Sequence, residues 1–166
     1  MAHLFEISHT DKTPFSETDR LCYDDVLRQK QNLEAQTAFI ALSESMGCPV
    51  LVLNSHKQVV YANEAALNSV NEHDHPDHVL GLRFGEFLGR KHKFNGKICK
   101  DPSSCANCNE LPAILSALDG SFSEEEGILS IYRETPENSL DYKVYCLPFS
   151  LDKKAFALLK LMRLQA

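Results

Sequence analysis

Apolar and polar positions divide the chain into a polar lead, a run of helix formers, and a body in which short apolar runs alternate with turn residues. Residues 1–15 are polar, carry Pro14 and show no period, which predicts a loose leader. Ser16 is suited to cap a helix whose first turn holds Glu17 and Asp19, and the run to Met46 predicts one long helix over 16–46. Val26, Leu33 and Ile40 recur there every seven residues, as a helix with a partner helix requires, while Gln29, Gln36 and Ser43 keep the other seam positions polar. Two roles follow: Phe39, Leu42 and Met46 dock the helix on the parent domain, or the helix mediates dimerisation.

Gly47 can end that helix. Pro49–Leu53 and Gln58–Tyr61 are short β-branched runs joined by the polar Asn54–Lys57, the pattern of a β-hairpin. Asn63 stands where a short helix, Glu64–Val70, needs its cap. The stretch NEHDHPDHVLG reads as a loop, and GLRFGEFLGRKHKFNGK as irregular with one helical turn. Asn109 can cap a clearer helix, ELPAILSALDG, with Pro112 in its first turn and Gly120 at its end. Residues 127–134, 140–149 and 154–164 read as three strands at hairpin-like spacing.

The order helix, strand, strand, short helices, three strands is that of the PAS fold. The stretch MGCPVLVLNSHKQVVYANEAALNSV resembles the opening of a PAS domain, where an apolar strand, a polar turn and a second strand ending in Ala-Asn lead into the first helix. A narrower resemblance is to bacterial PAS sensor domains with a preceding helix, a Gly-Glu segment like GLRFGEFLG and a cysteine-rich insertion, here ICKDPSSCANCNELPAILSAL. In that group a further Cys follows the Gly-Glu segment, and Arg90 stands there in this chain. The resemblance implies an α+β fold, with a five-stranded antiparallel sheet carrying helices over one face, from residue 47 to 166 behind the N-terminal helix. It also implies a sensory module, dimeric through its flanking helix, that passes a ligand, redox or metal state to an output protein.

Composition narrows the function classes. A chain of 166 residues builds one core plus an extension. Its 17 Lys+Arg against 23 Asp+Glu, net charge −6, argue against a nucleic-acid or anionic-membrane surface. No apolar run approaches the roughly 20 residues of a membrane span, and the N-terminus lacks a signal-peptide layout, so a cytoplasmic protein is expected.

Six cysteines without a secretory signal point to metal, redox chemistry or burial. Cys99, Cys105 and Cys108 are clustered, and the CxxC half suits two thiolates on one tetrahedral ion. His92 is the first choice for the fourth ligand of a Cys3His zinc site, with Cys146, His73, His75 and His78 as alternatives. Arg90, Lys91, Lys93, Lys97 and Lys100 lie beside the cluster and can offset its charge. Zinc is preferred to an iron-sulfur cluster, which normally wants four thiolates. No particular residue points to haem or flavin. A second class starts from Cys105 and Cys108 before a helix N-terminus, the setting of a thiol-disulfide enzyme, but the strands do not alternate with helices as a βαβ pattern would. GxSxG, P-loop, HExxH and GxGxxG motifs are all missing, so a non-enzymatic role is expected. A ligand-free dimerisation module is the third reading.

Overall fold

The computed structural model describes residues 20–70, 75–89, 91–94, 96–98, 110–124 and 127–165. Helices α1 (Tyr23–Glu34) and α2 (Thr37–Ser45) lead into strands β1 (Val50–Asn54) and β2 (Val59–Ala62), then α3 (Glu64–Val70). A 3-10 turn at Pro76–Val79 precedes α4 (Phe84–Leu88), followed by β3 (His92–Phe94), β4 (Lys97–Ile98) and α5 (Glu110–Leu118). Strands β5 (Ser123–Glu124), β6 (Leu129–Tyr132), β7 (Ser139–Leu151) and β8 (Lys154–Arg163) complete the order.

The sheet runs β2-β1-β8-β7-β6-β3-β4, with β5 also pairing β7, and every pairing is antiparallel. The expected five strands are β2, β1, β8, β7 and β6. Beyond β6 the segment expected to be irregular instead adds the hairpin β3–β4. Gly96, at φ +80, supplies its turn. The long hairpin β7–β8 turns at Asp152 and Lys153, whose φ values of 50 and 62 are those of the two-residue turns that match strand twist.

Alternation along the strands separates two cores. Leu51, Leu53, Leu129, Ile131, Val144 and Leu159 face one side, packed by α3, α4 and α5 through Ala66, Phe87 and Ile114. Val52, Val60 and Phe156 face the other, where Val26 and Leu33 of α1 cover them. Helices therefore lie over both faces, since a strand buried at every position, as β1 is, needs cover on each side. The seven-residue repeat is spent within the chain: Val26 and Leu33 are buried and Ile40 packs beside them.

In place of one helix over 16–46, the described residues form two. Gln36, at φ −83 and ψ 75, leaves the helical region, and its N–H closes α1 on Leu33 O at 2.9 Å. The break sends α2 along the sheet, where Phe39 stacks on Phe149 at 5.9 Å and meets Tyr61 edge-on at 5.8 Å. Asn63 locks this corner. Its Oδ1 accepts from Ala66 N and from Val50 N, both at 2.9 Å, while its Nδ2 donates to Ser43 O and Cys48 O. The expected cap of α3 thus also ties α2 to β1.

The start of the described chain is clipped to α4. Arg20 donates both terminal nitrogens to Glu86, at 2.6 and 2.7 Å, and Glu86 Oε2 also accepts from Arg83 N at the head of α4. Beside it the Gln58 side chain accepts from Leu21 N and donates to Leu21 O.

Candidate functional site

Helix α4 ends at Gly89, whose φ of 61 with ψ −148 is a conformation for glycine, and the chain turns back into β3. That reversal carries His92 in. His92 pairs with Ile131 across the β3–β6 ladder and shares its face of β3 with Phe94, a member of the α5-side core. The imidazole is 1% exposed.

Its two nitrogens differ. Nδ1 lies 2.9 Å from Gly89 O, and a carbonyl oxygen only accepts, so Nδ1 carries the hydrogen. Nε2 is buried and has no hydrogen-bond partner among the described residues. Burial lowers the His92 pKa, against a smaller opposing pull from the Gly89 bond, so the ring is neutral with a bare lone pair on Nε2. A neutral imidazole oriented through its other nitrogen is the form that binds a metal.

Cys99, Cys105, Cys108, Arg90, Lys100 and His73 lie outside the described residues. What is placed is the approach to them: Ile98 pairs with Lys93, the neighbour of His92, and Cys99 is the next residue in sequence. The cap expected at Asn109 also lies outside, one residue before α5.

Of the alternative ligands, Cys146, His75 and His78 are not brought to His92. Cys146 is buried on β7 opposite Leu159 and Ser123, whereas His92 meets β7 through Ile131 and Leu140. Six residues of strand separate Leu140 from Cys146, about 20 Å. His75 and His78 sit at the far end of the sheet order, on the 3-10 turn that contacts β2, exposed, with ring centres 5.8 Å apart. His75 Nδ1 is occupied by Asp77 N, as the cap of that turn. Among the described residues no group of three or more His, Cys, Asp or Glu is arranged to hold a metal.

Two local signals identify what the sequence reading leaves irregular. Asn95-Gly96 between HKF and KI is a short-hairpin signature and accounts for β3–β4. Glu86, three residues after Arg83, is the acceptor spacing of a helix start and accounts for α4.

No family model matches the chain, and no curated relative was found. Solved structures do match. The PAS domain of BvgS from Bordetella pertussis superposes with a TM-score of 0.53 at 12% identity, over 80% of this chain and 88% of that one. The PAS domain of nitrogen regulation protein NR(II) from Vibrio parahaemolyticus gives 0.50 at 14%, over 75% and 96%. The LOV protein of Rhodobacter sphaeroides gives 0.50 at 19%, over 79% and 68%. The fold is that of a PAS domain, with an added hairpin at one sheet edge and two helices on the outer face. No helix among the described residues is long and apolar enough to cross a membrane.

Proposed function

We propose that this PAS domain is a sensory, non-catalytic signalling module with a zinc ion held by Cys99, Cys105, Cys108 and His92. The observation that carries the reading is the buried, unpartnered Nε2 of His92. An orphaned buried nitrogen costs about 1–3 kcal/mol unless something occupies its lone pair. Coordination by a metal removes that cost, and the Gly89 bond already holds the ring for it.

Three thiolates and one imidazole make a closed four-coordinate site, which supports a structural rather than a catalytic ion. Such an ion would tie β3 to the chain beyond β4 and make the edge hairpin depend on metal or on thiol oxidation state. The antiparallel sheet gives no support to the thioredoxin-like alternative for Cys105 and Cys108.

Signalling is through protein contacts, as a homodimer that engages an output protein. Leu42 of α2 and Met46 at its C-terminal cap, 63% and 49% exposed, support an outward role for that helix. Sedimentation of wild type against a Leu42→Glu, Met46→Glu double variant tests it; an unchanged dimer would clear α2 of that role.

Elemental analysis with a visible spectrum tests the site. About one zinc per chain in a colourless sample is expected, with loss in Cys105→Ser and His92→Leu. Iron with visible absorbance would replace zinc by a redox centre. A metal-free protein that gains no stability on zinc addition would overturn the reading.

A further inference from the structure

A cleft of about 350 Å³ opens where α1 and α2 meet α3 and the Pro76–Val79 turn, at the Tyr61–Ala62 end of the sheet-edge strand β2. It lies at the opposite end of the strand order from His92 and shares no residue with the metal reading. Val79, Leu80 and Tyr61 are buried beneath it, and Ile40 and Leu67 add apolar wall.

The charge in the cleft is one-sided. Glu34, Glu44 and Glu64 line it, and Lys30 is the one cation among its lining residues. Lys30 is already engaged, with its ammonium 3.0 Å from Asp77 and 3.4 Å from Glu34. Glu44 and Glu64 have no cationic partner among the described residues.

Glu44 is nevertheless held in place. Its Oε1 accepts from Tyr61 OH at 2.7 Å and its Oε2 from Glu64 N at 3.0 Å, while Ser43 Oγ fixes the Tyr61 hydroxyl from the other side at 2.6 Å. Neutral donors orient a carboxylate without cancelling its charge, and each oxygen keeps acceptor capacity. An oriented, uncompensated carboxylate over apolar walls repels anions. It also disfavours a wholly apolar guest, which would bury that charge unpaired. A hard metal ion wants a cage of oxygens rather than Ile40, Leu67 and Val79.

We infer that this cleft binds a small organic ammonium ion, its apolar body against Ile40, Leu67 and Val79 and its N–H donors on the Glu44 side. The N-terminal helices contribute Lys30, Glu34, Ile40 and Glu44 to the walls, so occupancy bears directly on how α1 and α2 sit against the domain.

The test is a titration of the full chain with phenethylamine, followed by calorimetry and by amide NMR shifts. Phenethyl alcohol and phenylacetate are the neutral and anionic controls. Saturable phenethylamine binding is expected, with shifts at Tyr61, Leu67 and Leu80, and both controls weaker by about tenfold or more. Glu44→Gln, which keeps an acceptor for Tyr61, should weaken phenethylamine by a similar factor. Leu67→Trp should block the cleft without touching a charge, and keeps the test open should the Glu44 variant fold poorly. Equal binding of all three probes, binding unaffected by either variant, or no shift at the cleft residues would overturn the assignment.

Discussion

His92 donates Nδ1–H to the carbonyl oxygen of Gly89, three residues earlier, so the glycine that ends α4 also decides which imidazole nitrogen faces the core bare. Leucine at position 92 removes the orphaned nitrogen. In chelator-treated protein, His92→Leu should be at least as thermally stable as wild type, because replacing an unsatisfied buried polar group by an apolar one is near neutral or favourable. Zinc at about a hundredfold over its Kd should raise the wild-type Tm by about 5–10 °C and leave the variant unmoved. An equal rise in both would remove His92 from the ligand set.

Arg20 and Glu86 are 22% and 18% exposed at their side chains, sheltered enough for a forked ion pair to count. Glu86→Ala removes that pair and leaves Arg83 N without its acceptor, so a loss of about 2 kcal/mol in urea unfolding is expected. Arg20→Ala should cost less, since Glu86 still serves the helix start. Amide exchange separates the effects: Arg20→Ala should speed exchange in α1 and spare α4, whereas Glu86→Ala should speed both. Uniform acceleration by both variants would mean that the clip is not local.

The Asn63 side chain makes four hydrogen bonds from full burial, two as acceptor and two as donor. Asn63→Ala should cost about 3 kcal/mol or more, combining a lost cap with unsatisfied backbone groups on α2 and β1. Asn63→Asp keeps both acceptor bonds and loses both donors, and adds a buried charge against the carbonyls of Ser43 and Cys48. It should therefore be no better than alanine, although aspartate is a good helix cap. An aspartate variant of wild-type stability in urea melts would reduce Asn63 to a simple cap.

The parts of the fold readable from sequence are those that local chemistry determines. Two β-branched runs around Asn54–Lys57 produce β1 and β2, Asn63 starts α3, and the polar Asp152-Lys153 pair sits in the β7–β8 turn. The break at Gln36 has no local cause, because Ala35 and Gln36 are both good helix formers. It is imposed from a distance, by Phe39 reaching Phe149 and Ser43 reaching Tyr61. The heptad spacing of Val26 and Leu33 looks the same for a partner helix as for a sheet, and only the position of Val52, Val60 and Phe156 decides between them. His92 was recognisable as a candidate because it precedes a cysteine cluster. The bond that prepares it depends on the backbone turn at Gly89; the glycine marks a helix end, but nothing in the sequence pairs its carbonyl with His92.

Tyr61 provides a titration that reports on the α2 corner. Burial, together with the Glu44 bond and against the opposing bond to Ser43, pushes its pKa up to about 12, while an unfolded tyrosine ionises near 10. Between those values the unfolded chain has released this proton and the folded one retains it, so stability is full below about pH 10 and falls as pH rises toward 12. The loss from this group is on the order of 2–3 kcal/mol. Tyr142 adds to the same alkaline slope, since burial raises its pKa as well. Tyr61→Phe should cost stability at neutral pH by stripping partners from Ser43 and Glu44, yet flatten the decline above pH 10. In an absorbance titration at 295 nm the highest of the five tyrosine steps should disappear with it. Retention of that step and of the full alkaline slope would place the perturbed hydroxyl elsewhere, and with it the rigid Glu44 on which the ammonium cleft depends.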